Sequence, residues 1–228
     1  MSFEGFPRSA MGFWHELSVE MNKAWFDENK ARYHAEWVAP MTALLTAVST
    51  HLAPTYRGRV LHPPKILRIY RDVRFAKDKT PYKTWIGGAV AVGGEGGKPQ
   101  DGVVAIYAHF GLEDEFVGAG QYVFADAALL RYRKAVADPG TGPAIGKLVA
   151  GLTTAGYGLE ASETSVRVPK PYAAEHPRAG LLRRKGLTVS FPAIPRGLLH
   201  EPRLVDWLVT HCKAAAPVGK WILANVAA

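Results

Sequence analysis

One short segment, residues 68–83, gathers the residue types best suited to bind an anion or act on it. It contains Arg68, Arg71 and Arg74 within seven positions, followed by Asp78 and Lys79. Arginine stays charged at ordinary pH, and its planar fork matches carboxylate and phosphate oxygens through paired hydrogen bonds. Because like charges repel, three arginines in so short a stretch favour a role that uses their charge. The segment therefore predicts an anion-binding site.

We expect seven side chains of this segment to form the site. They are Arg68, Arg71, Asp72, Arg74, Asp78, Lys79 and Tyr82. In that arrangement Asp72 orients an arginine, while Tyr82 donates a hydrogen bond or stacks on a ring. For an enzyme, the acid–base candidates are Asp72, Asp78 and Tyr82, and the arginines stabilise developing negative charge. The pattern names no reaction, so an enzyme and a non-enzymatic binding protein both stay open.

Positive charge is concentrated in two windows of a chain whose formal net charge is +8. The first, residues 57–83, carries +7, because only Asp72 and Asp78 oppose nine basic residues. The second, residues 167–185, carries +5, and the remainder of the chain carries −4. A focused positive potential attracts phosphate and carboxylate groups. We interpret the first window as a site for a small anionic molecule and the second as an ordinary solvated surface.

Two other interpretations of the first window stay open. Nucleic acid is the alternative partner, since aromatic residues lie among the basic ones, as they do in proteins that stack bases. These aromatic residues are Tyr70, Phe75, Tyr82 and Trp85. That interpretation is weakened because the chain contains no recognised nucleic-acid-binding module. The remaining one is purely structural: Asp72 and Asp78 pair with neighbouring cations and hold the local backbone in place.

Familiar cofactor and catalytic signatures are excluded by their spacing. The Gly97-Lys98 pair lacks the glycine five positions earlier that a P-loop requires. No histidine pair has the spacing of a zinc hydrolase, and no Gly-x-Ser-x-Gly turn presents a nucleophile. The lone cysteine, Cys212, is expected to pack inside the protein. We therefore expect neither a cofactor nor a metal.

Length and composition bound the class of protein. With 228 residues, of which 48% are hydrophobic, we expect a single domain over residues 1–228 that needs no disulfide or metal to fold. The N-terminus lacks a signal-peptide pattern, and no apolar stretch approaches the about 18 residues of a membrane span. A single cysteine is typical of a reducing compartment. We expect a cytoplasmic protein with no membrane partner.

The spacing of apolar residues predicts helices at both ends of the chain. The N-terminal helices are expected over residues 9–20 and 33–52, the second bent or broken at Pro40, where a hydrogen-bond donor is missing. The later helices are expected over residues 125–136, 142–155 and 204–216.

Strands are expected between these two helical regions. From Lys65 to Phe75 the apolar period changes to two, which predicts an extended segment that carries the arginines on its polar face. Further strands are predicted at 85–92, 103–110, 116–124 and, late in the chain, 187–191; a glycine-rich hairpin loop is expected at 93–99. Short connections favour antiparallel pairing. The predicted fold class is α+β, with N-terminal helices, a central mainly antiparallel sheet, and C-terminal helices with a late strand.

The arginine-rich segment also resembles the signature of the domain-of-unknown-function 2461 family, an Arg-x-x-Arg-Asp-x-Arg-Phe core that leads into Asp-Lys and a tyrosine. The matching positions are Arg68, Arg71, Asp72, Arg74, Phe75, Asp78, Lys79 and Tyr82. Residues 22–26, 117–122 and 169–185 fit the same family, so the resemblance covers nearly the whole chain. Ala119 stands where the family pattern has glycine. The family has no assigned activity, so the resemblance implies no reaction.

Overall fold

The computed structural model describes residues 2–74, 77–93 and 104–227, so the expected loop at 93–99 lies almost entirely outside the described residues. The N-terminal region forms helices α1 (Ala10–Glu20), α2 (Lys23–Tyr33) and α3 (Ala39–Leu52). The break expected at Pro40 takes the form of a π-helical turn, His34–Val38, between α2 and α3. Proline lacks the N–H of a regular helical turn, so it sits at the start of α3, where that donor is not required.

The central sheet has seven strands and every pairing is antiparallel. They are β1 (Val60–Leu61), β2 (Lys65–Ile66), β3 (Trp85–Gly93), β4 (Val104–Gly111), β5 (Glu115–Gln121), β6 (Gly158–Glu160) and β7 (Leu187–Ser190). Their order in the sheet is β1-β3-β4-β5-β7-β6, and β2 also pairs with β3. The late strand β7 therefore lies between β5 and β6, inside the sheet.

The C-terminal half supplies helices α4 (Asp126–Ala137), α5 (Gly142–Thr154), α6 (Ala179–Leu182) and α7 (Leu204–Asn225). Helix α7 runs nine residues beyond its predicted end and contains Pro217. The carbonyl that loses its helical donor there belongs to Lys213, which is an exposed residue. Helices at both ends and a central antiparallel sheet with a late strand confirm the predicted α+β class.

The extended segment predicted over residues 65–75 is wrong in its length. Only Lys65–Ile66 forms a strand, although the Leu67 N–H still donates to the Gly87 carbonyl of β3. Beyond that point the chain pairs with its own return limb, since Tyr70 bridges Tyr82. The period-two pattern therefore belongs to a loop that pairs with itself, and Phe75 lies outside the described residues.

The two faces of the sheet have different partners. On one face the side chains of Val90, Val92 and Ile106 are buried against the helices, chiefly α3 and α7. On the other face the same strands present small residues, among them Ala89 and Ala105, which line an open groove. Alternation along each strand thus separates the core from a second surface.

One glycine in β5 is required for strand packing. Gly120 has φ +149°, and a Cβ there would lie 2.2 Å from the Leu187 carbonyl oxygen of β7. We expect Gly120→Ala to destabilise the protein by about 2–4 kcal/mol, because the neighbouring backbone would have to move. Urea unfolding measures the loss.

The matched control is Gly151→Ala in α5, where an added Cβ meets no atom within 4 Å. Alanine is the better helix former, so this variant should gain about 0.5–1 kcal/mol. If Gly120→Ala instead unfolded at the wild-type urea concentration, the close strand approach would not matter to stability.

Candidate functional site

Five of the seven predicted site residues pair among themselves or with nearby backbone. The Arg74 guanidinium forks onto the Asp72 carboxylate with contacts of 2.9 and 2.6 Å. Arg71 pairs with Asp78 and also donates to the Thr80 hydroxyl at 2.7 Å. The ammonium of Lys79 donates to the Val73 carbonyl at 2.8 Å. These contacts hold residues 71–74 and 77–80 together, and we call these two stretches the arginine loop.

The two carboxylates of the arginine loop are both stabilised in their charged form. Hydrogen bonds from Arg74 lower the pKa of Asp72, and hydrogen bonds from the Thr80 backbone and hydroxyl, with the Arg71 charge, lower that of Asp78. A general base works best with a pKa near neutrality. Asp72 and Asp78 therefore orient the side chains of Arg74 and Arg71. Their lowered pKa values do not support a role as acid–base groups.

Tyr82 belongs to the core. Its side chain is only 3% exposed and its ring stacks on Phe26 of α2, with centroids 4.6 Å apart. Tyr70 contacts both rings, and burial raises the pKa of Tyr82. The chain reaches this contact because the Asn22 side chain accepts a hydrogen bond from the Trp25 N–H and so begins α2. The N-terminal motif and the arginine-rich motif thus meet through aromatic packing.

Arg68 is the one predicted arginine that the arginine loop does not use. Its side chain is exposed and, among the described residues, makes no hydrogen bond or ion pair. Its carbonyl accepts from the Lys83 ammonium at 2.9 Å, and Lys83 also lies 4.4 Å from the centroid of Trp85. Burial and the nearby Arg68 charge lower the pKa of Lys83. Two neighbouring cations therefore lack a carboxylate partner in the described part of the chain.

The second basic window is largely occupied by structural contacts. Arg178 donates to the Val136 and Ala137 carbonyls at the end of α4, at 2.6 and 3.2 Å. Arg184 donates to a carbonyl of β6, and Lys185 pairs with Glu163. Cations near a helix C-terminus satisfy the last carbonyls and favour the helix dipole.

A large concave surface lies elsewhere, on the face of the sheet opposite α3 and α7. This groove encloses about 1130 Å³. Its floor consists of the small residues Ala89, Ala91, Ala105, Gly118 and Gly120. None of the seven predicted residues lines it, although Leu67 and Trp85 on either side of the arginine loop do. A groove of this size with a flat apolar floor can hold a molecule of several fused rings.

His109 of β4 lies at one end of the groove between two aromatic rings. Its centroid is 4.4 Å from Trp85 and 4.5 Å from Phe116, and the Phe116 ring is nearly parallel to it. The side chain is 7% exposed. The Lys83 ammonium lies over the Trp85 ring. Lys83, Trp85, His109 and Phe116 therefore contact one another in that spatial order. We call these four side chains the aromatic stack.

Both ring nitrogens of His109 face polar atoms. The Tyr107 hydroxyl is 3.2 Å from Nδ1, and the Asp114 carboxylate is 2.8 Å from Nε2, although its oxygen lies away from the direction of the ring N–H. Burial lowers the pKa of His109, with Asp114 opposing the shift and Lys83 adding to it. Burial also raises the pKa of Tyr107 to about 12. At neutral pH the pair is an uncharged imidazole beside an uncharged phenol.

Sequence reasoning did not find the groove or this pair. Tyr107 and His109 lie two residues apart on β4, and no motif marks them. Trp85, Phe116 and Asp114 come from β3, β5 and the β4–β5 turn, and sheet register brings them to His109. The signal available in the sequence is the alternation of alanine with larger apolar residues along β3, which by itself indicates only a strand. The expected packing role of Cys212 agrees with its burial in α7.

Residues 9–221 match a family described as conserved hypothetical proteins, DUF2461, and the chain belongs to that family. Comparison with curated proteins finds no significant match, and comparison with solved structures finds none either. Among the residues described, His, Cys, Asp and Glu side chains do not gather in threes as a metal site requires. Within the same ranges, no helix has both the length and the hydropathy to cross a bilayer.

The lowered pKa of His109 makes folding stability depend on pH. The His109 side chain binds a proton more readily in the unfolded chain than in the folded one. Its contribution to the free energy of unfolding is therefore fully present above about pH 6.5 and is lost as the pH falls towards the pKa of the folded state. We expect His109→Phe to lose less stability than wild type between pH 7.5 and pH 5. Urea unfolding at both pH values measures the difference.

The control for this experiment is His51→Phe, which replaces an exposed histidine in the last turn of α3. It should keep the wild-type pH dependence. An unchanged pH dependence in His109→Phe would show that the buried imidazole is not the group that titrates.

Proposed function

We propose that the protein binds a small organic molecule with a mainly apolar body in the groove on the open face of the sheet. The observation that carries the proposal is the groove itself, about 1130 Å³ in volume with a floor of alanine and glycine. Binding sites for small molecules are typically concave, mostly apolar and furnished with a few polar groups. The aromatic stack offers ring faces at one end of the groove.

The rim of the groove supports the same proposal. Phe116, Tyr122 and Val123 line it and are 42%, 60% and 53% exposed, respectively. Large apolar side chains that stay exposed around a concavity favour a ligand that covers them. Polar side chains line the groove on opposite sides. His109 and Tyr107 lie at the end formed by the aromatic stack, and polar residues of β6 and β7 lie across the floor. The latter are Glu160, Thr188 and Ser190.

An added ring on the groove floor should block binding. Ala89 is paired with Tyr107 in the sheet register, and its side chain faces the groove. We expect Ala89→Phe to weaken binding of a neutral solvatochromic dye such as Nile red at least tenfold, because the new ring occupies the volume that the probe requires. Fluorescence titration measures the dissociation constant.

The matched control is Ala150→Phe, which adds the same ring to an exposed position of α5. It should bind the dye as wild type does. Equal binding by all three proteins would place the dye outside the groove and contradict the proposal.

We propose as a second candidate an anion-binding surface formed by Arg68 and Lys83. It is supported by the lack of a carboxylate partner for either cation in the described ranges. The groove itself suits an anion poorly, because Lys65 is outnumbered there by Glu113, Asp114 and Glu160. In this candidate the other predicted residues act through the arginine loop and the Tyr82 packing, which hold Arg68 in place.

Inorganic pyrophosphate tests the second candidate. Arg68→Ala should abolish binding measured by calorimetry at low salt, because it removes the only unpaired guanidinium of the motif. The control is Arg57→Ala, an exposed arginine of the same basic window, which should bind as wild type does. Equal losses in both variants would indicate general charge attraction and no site.

Nucleic acid stays the alternative partner of this surface, with less support. Four of the six cations of the second basic window donate to carbonyls or to a carboxylate, so that window adds little free positive charge. Binding to nucleic acid would lose affinity steeply with salt, since each phosphate contact releases a counterion. A short single-stranded oligonucleotide in the same titrations distinguishes the two partners.

A further inference from the structure

We propose that the groove selects apolar molecules that carry an N–H donor, which the Tyr107 hydroxyl oxygen accepts. The inference rests on the proposed binding function and names the ligand class of that groove. Indole and aromatic amines are the simplest members of the class. The argument depends on which atoms of His109 carry hydrogen.

Asp114 decides the position of the proton on His109. Its carboxylate oxygen lies 2.8 Å from Nε2. Although this oxygen lies off the N–H direction, its negative charge so close to Nε2 favours a positively polarised N–H there over a lone pair. The neutral ring therefore carries its hydrogen on Nε2 and leaves Nδ1 as an acceptor.

The tautomer of His109 then sets the direction of the Tyr107 hydroxyl. Nδ1 is 3.2 Å from the phenol oxygen, so the phenol donates its only hydrogen to the ring. The hydroxyl can approach β3 because Gly87 has no side chain; a Cβ there would lie 2.6 Å from the phenol oxygen. What remains for a ligand is the lone pairs of the oxygen, and Tyr107 lines the groove. Lone pairs accept a hydrogen bond, so they favour a ligand with a donor.

Protonation of His109 reverses this preference. The imidazolium donates from both nitrogens, so the Tyr107 oxygen accepts from Nδ1 and its own O–H turns towards the groove. The charged and titratable groups that face His109 are Asp114, which favours the proton, and Lys83, which opposes it. Tyr107 itself stays neutral, and Trp85 and Phe116 complete the surroundings. Selection for donors should therefore weaken as the pH falls through the lowered pKa of His109.

The charge of the groove lining agrees with the same ligand class. Among the described residues, Glu113, Asp114 and Glu160 line the groove against one cation, Lys65. An acidic lining favours the positive end of a ligand dipole, which in an N–H compound is the donor. Glu113 and Glu160 take no part in the argument on the His109 tautomer, so their contribution is independent of it.

A pair of compounds with one shape tests the inference. Indole has an N–H donor, and benzofuran has an oxygen in its place. We expect wild-type protein at pH 7.5 to bind indole about fivefold more tightly than benzofuran, the effect of one hydrogen bond of ordinary strength. Tyr107→Phe should remove the preference while still binding both compounds. Tyr172→Phe, which removes the hydroxyl of a tyrosine that does not line the groove, is the control and should keep it.

The outcomes separate the two proposals. If wild type binds both compounds equally and Ala89→Phe blocks both, the groove binds small molecules but the donor selection is overturned. If neither compound binds, the proposed function fails and the selection with it. If Tyr107→Phe does not fold, the wild-type preference is measured at a pH where the NMR titration of His109 shows it to be protonated: a loss supports the inference, and an undiminished preference overturns it.

Discussion

The antiparallel register of β3, β4 and β5 is the constraint on which the rest of the structure depends. It sets Ala89 beside Tyr107 and His109 beside Phe116, so their side chains lie on one face. The alternate residues, such as Val90, are turned to the opposite face and buried against the helices. A shift of one residue would exchange the two sets, moving small and polar groups into the core. The same pairing that builds the core therefore also builds the groove.

The arginine-rich motif acts as a link between the sheet and the N-terminal helices. At one end its chain continues from β2, which pairs with β3, and at the other it returns through Tyr82 to the start of β3. Tyr82 packs on Phe26, so the segment ties α2 to the sheet. The ion pairs of the arginine loop are exposed, and exposed pairs contribute little free energy of folding. The ion pairs select one loop conformation, while the packing of Tyr82 on Phe26 buries the apolar surface that stabilises the fold.

Charge and shape point to different surfaces of this protein. Arg71 and Arg74 of the arginine-rich motif pair with carboxylates, whereas Arg68 and Lys83, which lie beside the arginine loop, have no carboxylate partner among the described residues. The groove is apolar with an acidic lining, and its buried polar pair is His109 with Tyr107. Lys83 connects the two regions, because it lies over the Trp85 ring that contacts His109. A net charge of +8 thus says little about the chemistry of the groove.

The sequence by itself determined the α+β class and the place of the main strands, because side-chain periodicity is a local property. The predicted strand at 85–92 differs by one residue at one end from Trp85–Gly93, and that at 103–110 by one residue at each end from Val104–Gly111. Sequence also identified the arginine-rich motif, but not that Tyr70 pairs with Tyr82. Only the tertiary structure decided which strand face would be covered by helices and which left as a groove. That choice depends on the packing of α3 and α7, and contacts so distant in sequence leave no local pattern.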